Sequence, residues 1–177
     1  MTPRDLSKYL SLILRHDPAR GHITLDAEGW VDLDLLVKNS AGKFTRAEVE
    51  QVVASNDKQR FAIVNNRIRA NQGHTIQVDL GLAAVGEPPE YLYHGTFPAA
   101  IPGILAEGLK KMARHHVHLA EDTKTAVTVG RRSGAPVLYR VSARQMFQDG
   151  HTFYRSANGV WLVDAVPTQY LEERSWL

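Results

Sequence analysis

Gly86-Glu87-Pro88-Pro89-Glu90 divides the chain, because two consecutive prolines have no amide hydrogens to give a sheet ladder and they stiffen whatever they join. The residues on either side carry different patterns. Before this segment, apolar residues recur mainly at helical spacing; beyond it they fall in short, strand-like runs. The fold class that follows is α+β, with one domain over residues 1–86 and a second over 91–177.

In the first half, Thr2 is placed to cap a helix, Pro3 fits its first position and Asp5 its first turn. Leu6, Tyr9, Leu10, Ile13 and Leu14 then give one buried face, and Asp17-Pro18 stops the helix near Arg15-His16. Gly29-Trp30-Val31 reads as a short strand, with Asp32 capping a helix over Leu33–Lys38. Thr45-Arg46-Ala47-Glu48 is a capping box that opens a helix through Ser55. Arg60–Val64 and Arg67–Ala70 read as strands joined by Asn65-Asn66, residues that tolerate left-handed turns. Helices followed by a β-hairpin point to a winged-helix arrangement. Alternation puts Arg67 and Arg69 on one strand face and Ile68 on the other, so an inward Ile68 turns both arginines out.

The second half reads as strands at Tyr91–His94, Val117–Leu119, Val137–Val141, Thr152–Tyr154, Val160–Val163 and Thr168–Leu171. Helices are expected from Pro98 to Glu107, closed by Gly108, and at Asp122–Val129 and Ala143–Gln148.

Composition narrows the function classes. Without cysteine there is neither a disulfide framework nor a thiolate metal site. No apolar run approaches the ~18–20 residues of a membrane span, and the N-terminus lacks a signal-peptide core, so a soluble cytoplasmic protein is expected. The net charge of +2 is spread evenly, with 11 Lys/Arg against 10 Asp/Glu in residues 1–86 and 10 against 9 in the rest. That argues against a basic tail for long nucleic acid. Fourteen of the 21 basic residues are arginine, the side chain suited to bidentate phosphate contact.

Candidate chemistry sits in six segments. Arg69-Ala70-Asn71-Gln72-Gly73-His74-Thr75 gathers charged and amide donors fit for a phosphate dianion, although a solvent-exposed turn is the plainer reading. Arg15-His16 sets two donors of different acidity together at a helix end, where a cation is also simply favoured by the dipole. In Tyr93-His94-Gly95-Thr96, glycine lets a ligand approach the backbone, and imidazole and hydroxyl can bond ribose. His115-His116-Val117-His118-Leu119 puts His116 and His118 on one strand face, yet no nearby ligand set completes a metal site, and none is expected. Gly130-Arg131-Arg132-Ser133-Gly134 is a basic turn, and Phe153–Trp161 sets aromatic surface beside Arg155 and Asn158. No GxGxxG or P-loop pattern occurs.

These strings together resemble one family, the NAD-dependent tRNA (or RNA) 2′-phosphotransferases. The matches are Leu14-Arg15-His16, Ile68-Arg69-Ala70-Asn71-Gln72-Gly73-His74, His94-Gly95-Thr96, His116-Val117-His118-Leu119, Gly130-Arg131-Arg132 and Arg155-Ser156-Ala157-Asn158-Gly159-Val160. They keep the family's order over nearly the whole chain. The resemblance implies an N-terminal winged-helix lobe and a C-terminal strand-rich lobe of the ADP-ribosyltransferase type, with the active site between them. It implies NAD as co-substrate, no metal, and RNA bearing a 2′-phosphate as substrate; a monomer is expected.

The family's reaction has two steps. The RNA 2′-phosphate attacks the anomeric carbon of NAD and expels nicotinamide; the ribose 2″-hydroxyl then attacks that phosphate, releasing 2′-hydroxyl RNA and ADP-ribose 1″,2″-cyclic phosphate. By motif, the catalytic set falls on Arg15, His16, Arg69 and Arg132, with Arg132 preferred to Arg131 on the family's Gly-x-Arg pattern. His94, Gly95, Thr96, His118, Arg155, Ser156 and Asn158 are expected at NAD, and Arg67 and His74 at the phosphate. Two other readings stand beside this one. They are an ADP-ribosyltransferase that stops after the first step, acting on phosphorylated nucleic-acid ends or on protein, and a winged-helix DNA-binding regulator.

Overall fold

Local chemistry sets the start of the first helix, α1 (Pro3–Arg15), where the Thr2 hydroxyl accepts the Asp5 amide at 3.1 Å. Its apolar stripe, Leu6, Leu10, Ile13 and Leu14, is buried. A computed structural model describes residues 1–174 and shows a mixed α+β chain in two units, Met1–Leu82 and Ala83–Leu177.

In the first unit, β1 (Val31–Asp32) leads into α2 (Leu33–Asn39), where the Asp32 carboxylate accepts the Leu35 amide at 2.8 Å. The capping box expected at Thr45 and Glu48 forms and starts α3 (Arg46–Ser55). The hairpin β2 (Phe61–Val64) and β3 (Arg67–Ala70) turns through Asn65 and Asn66 at φ 49° and 61°. Both values are left-handed, as the tight two-residue turn requires. The strand order is β1-β3-β2, all antiparallel. Ile68, fully buried, joins Leu10, Leu14, Val49 and Phe61 in this unit's core.

The second unit contains β4 (Leu92–Thr96), α4 (Ile101–Glu107), β5 (Leu109–Lys110), β6 (Val117–Leu119), α5 (Thr123–Gly130), β7 (Val137–Val141), α6 (Ala143–Gln148), β8 (Phe153–Arg155), β9 (Trp161–Val163), β10 (Ala165–Val166) and β11 (Leu171–Arg174). Two three-stranded antiparallel sheets, β11-β7-β4 and β6-β9-β8, are linked where Tyr93 and Ala120 exchange backbone hydrogen bonds of 2.8 Å. A small β10-β5 ribbon stands apart from them. This unit has its own core, including Leu92, Leu119, Tyr139, Val141, Phe153 and Val163.

Three local expectations shift. The helix expected from Pro98 begins as a 3-10 turn over Pro98–Ala100 before α4. The strand expected at Thr168–Leu171 is a 3-10 turn, Thr168–Tyr170, and pairing starts only at Leu171. The proline segment lies within the second unit: the Val85 amide already bonds the Phe153 carbonyl at 2.9 Å, and the Arg144 amide bonds the Glu90 carbonyl. No helix among the described residues is long and apolar enough to cross a membrane.

Candidate active site

The loop after β3 returns across the end of α1, and this return assembles the first group of side chains. The last carbonyls of a helix lack partners within it. One of them, that of Arg15, accepts the Thr75 amide at 2.9 Å. The Thr75 hydroxyl lies 2.9 Å from His16 Nδ1, so one residue of the loop holds both ends of the Arg15-His16 pair. Gly73 takes φ +87°, and a Cβ there would stand 3.6 Å from the Arg15 guanidinium. The glycine thus supplies a left-handed backbone and lets the loop run close beside Arg15.

Arg69 and Arg67 project from one face of β3, as alternation requires, and both guanidiniums lie against the Trp30 indole, at 4.5 and 5.2 Å from its centroid. The Asp26 turn presents that ring: Asp26 Oδ1 accepts the amides of Glu28 and Trp30. Arg69 Nη1 donates to the Glu28 carbonyl at 3.2 Å, while its buried Nε has no hydrogen-bond partner. Leaving a buried donor unmade is costly. An anion bound here would relieve that cost. Arg67 differs, since Asp26 already neutralises it across 3.1 Å. His74, expected at phosphate, is only 2% exposed, and its Nε2 lies 3.4 Å from where a Gly29 Cβ would stand. That position suits holding the loop better than meeting substrate.

In the second unit, His94 Nδ1 lies 3.0 Å from the His118 carbonyl oxygen, and Arg114 Nη1 lies 3.3 Å from His118 Nδ1. Burial pushes the His94 imidazole below its ordinary pKa, against the opposing effect of that hydrogen bond. The Arg114 guanidinium is lowered first by burial and then by the charge of Arg132, which places Arg132 within electrostatic reach of this group. No such link ties Arg131 to it among the interactions described.

Gly95 is required for a different reason than sequence suggested. A Cβ there would stand 1.6 Å from the Ala126 carbonyl oxygen, so β4 and α5 meet backbone to backbone. Because Tyr93 directs its N–H and C=O to Ala120, the two-residue alternation turns the Gly95 amide and carbonyl to that same edge, away from β7. A carboxamide can be read by such an edge.

Ser156 and Asn158 are engaged within the β8–β9 turn: the Ser156 hydroxyl bonds Asn158 Oδ1 and accepts the Val160 amide at 3.1 Å. Arg155 pairs with Glu121 at 2.9 Å, and Glu121 also accepts Trp161 Nε1 at 2.8 Å. The His116 and Tyr154 rings pack at a tilt, with centroids 5.3 Å apart. Among the described residues no group of three His, Cys, Asp or Glu side chains is placed to hold a metal ion.

Three contributors had no chemical signature in sequence: Trp30, which seats two arginines, Thr75, which orients His16, and Arg114, which touches His118. Only Thr75 stood inside a segment already singled out.

Comparison with known proteins identifies one family. The model of the RNA 2′-phosphotransferase, Tpt1 / KptA family matches residues 2–165. The chain is 54% identical over 170 residues to a "Probable RNA 2′-phosphotransferase" of Rhizobium leguminosarum bv. trifolii, covering 94% of this chain and 92% of that protein. A protein of the same name from Streptomyces coelicolor is 54% identical over 169 residues, with 94% and 92% covered. One from Flavobacterium johnsoniae is 48% identical over 177 residues, with 97% of each chain covered.

Proposed function

Because the chain belongs to the RNA 2′-phosphotransferase, Tpt1 / KptA family, we propose that it removes a 2′-phosphate from RNA by passing it to NAD, releasing nicotinamide, 2′-hydroxyl RNA and ADP-ribose 1″,2″-cyclic phosphate. The observation that carries this reading is the loop from Asn71 to Thr75, which clasps Arg15 and His16 and follows directly on the strand that bears Arg69, with its buried, unpartnered donor. NAD brings an anomeric carbon with nicotinamide as leaving group and a neighbouring 2″-hydroxyl to accept the phosphorus.

Arg15 and Arg69 orient the phosphate dianion, which is already a nucleophile and needs no base. The same guanidiniums stabilise charge on the equatorial oxygens when the phosphorus is transferred, and the family motif gives Arg132 a catalytic role as well. Thr75 holds His16 by Nδ1, so the proton that completes the departing 2′-oxygen is delivered from Nε2. The Gly95 backbone edge and neutral His94 support recognition of the nicotinamide riboside. Arg67 and His74 act behind the phosphate site, through Asp26 and the loop packing; Arg155, Ser156 and Asn158 shape the β8–β9 turn beside NAD. Three helices with the β1-β3-β2 hairpin sheet support a winged-helix reading of the first unit, and the paired antiparallel sheets support an ADP-ribosyltransferase-like second unit.

The test is incubation with NAD and a 2′-phosphorylated oligonucleotide, with products identified by mass. Expected are oligonucleotide lighter by one phosphate, nicotinamide and the cyclic phosphate. Accumulation of ADP-ribosylated oligonucleotide alone points to an ADP-ribosyltransferase, and an oligonucleotide left unchanged overturns the proposal.

A further inference from the structure

His94 and His118 stand on adjacent strands, and their protons are fixed by different partners. A carbonyl oxygen has no hydrogen to give, so the contact of His94 Nδ1 with the His118 carbonyl, at 3.0 Å, makes Nδ1 the donor. The neutral His94 ring then keeps its lone pair on Nε2. A guanidinium has donors only, so the contact of Arg114 Nη1 with His118 Nδ1, at 3.3 Å, makes that nitrogen the acceptor. The proton of neutral His118 is then on Nε2. The two imidazoles have opposite tautomers, an acceptor on one and a donor on the other.

We propose that Arg114 is a positioning residue for the dinucleotide: by donating to His118 Nδ1 it fixes that ring as an Nε2–H donor, paired with the Nε2 acceptor of His94. This rests on the assignment of His94 and His118 to NAD. An acceptor beside a donor suits a vicinal ribose diol, in which one hydroxyl gives its proton while the other receives one. Arg114 is exposed as a residue, and its Nη1 is nonetheless held 3.3 Å from His118 Nδ1.

Nitrogen-15 NMR of the histidine rings separates the tautomers directly and requires no turnover. The intact protein is expected to show His118 as Nε2–H and His94 as Nδ1–H. In Arg114→Ala the His118 signals are expected to move to averaged values, and the KM for NAD to rise roughly tenfold with kcat changed much less, the scale of an outer-shell orienting contact. Arg114→Lys, which also donates, is expected to restore both. Circular dichroism melts of all three proteins separate these effects from unfolding, and Arg114→Gln serves if the alanine variant does not fold. An unaltered His118 signature in the alanine or glutamine variant overturns the proposal, as does a lost signature with an unchanged KM for NAD. Expected tautomers in a protein that never consumes NAD would count against the proposed function and leave the proton assignment standing.

Discussion

Arg69 is held from two sides, by the Glu28 carbonyl and the Trp30 ring, while its Nε has no partner. A donor fixed in this way is pre-organised for developing charge, and deletion of one such donor typically costs about 10²–10³-fold in rate. Arg69→Ala is therefore expected to lose turnover on that scale with little change in melting temperature, read by steady-state assay and calorimetry. Arg69→Lys should recover little, because a point charge does not replace a planar fork. His16→Ala should slow the second step more than the first, seen in single-turnover experiments as a build-up of ADP-ribosylated RNA. A pH prediction also belongs at this scale. Burial holds His94 and His116 below their ordinary 6.5. Between those lowered values and 6.5 the unfolded chain binds more protons than the folded one, so stability is full above 6.5 and falls as the solution is acidified through that window. Denaturant midpoints measured across this range should show the fall, and His94→Gln or His116→Gln should each reduce it.

At the level of elements, the packing of β4 on α5 makes the sharpest demand. Gly95→Ala sets a Cβ against the Ala126 carbonyl, a backbone atom that moves only if α5 moves. Destabilisation at or above the top of the usual overpacking range of ~1–3 kcal/mol is expected in a denaturant melt. Gly103→Ala is the control, because that glycine lies within α4 and nothing surrounds its would-be Cβ. It should stabilise by about 0.5–1 kcal/mol. These elements were unevenly legible in sequence. Helix starts at Thr2, Asp32, Thr45 and Asp122 could be read because a cap is made by residues three apart. The ribbon of β5 with β10 was not legible, since two-residue strands exist only through each other. Trp30 and Arg114 were missed for the same reason: their roles come from partners distant in sequence or from a tautomer, and neither leaves a local pattern.

For the whole molecule, each unit closes its own hydrophobic core, and no core residue of one cluster belongs to the other. The proline segment and the change in apolar spacing suggested the division, and the boundary falls just ahead of that segment, where Val85 already pairs with Phe153. Charge is similarly undramatic at this scale: it is balanced in both halves. RNA affinity should accordingly depend weakly on salt. A plot of log affinity against log salt is expected to fall with a slope of about −1 to −3, at ~0.7 per neutralised phosphate, and a much steeper slope would reveal a broad basic surface. The bond from the Thr75 amide to the Arg15 carbonyl has a further effect. Helix ends fray on their own, and this one is pinned by the same strand-loop segment that seats Arg69, so opening the last turn of α1 loosens Arg15 and His16 in a single motion. On the proposed roles, alignment for catalysis and local melting of that turn are one equilibrium.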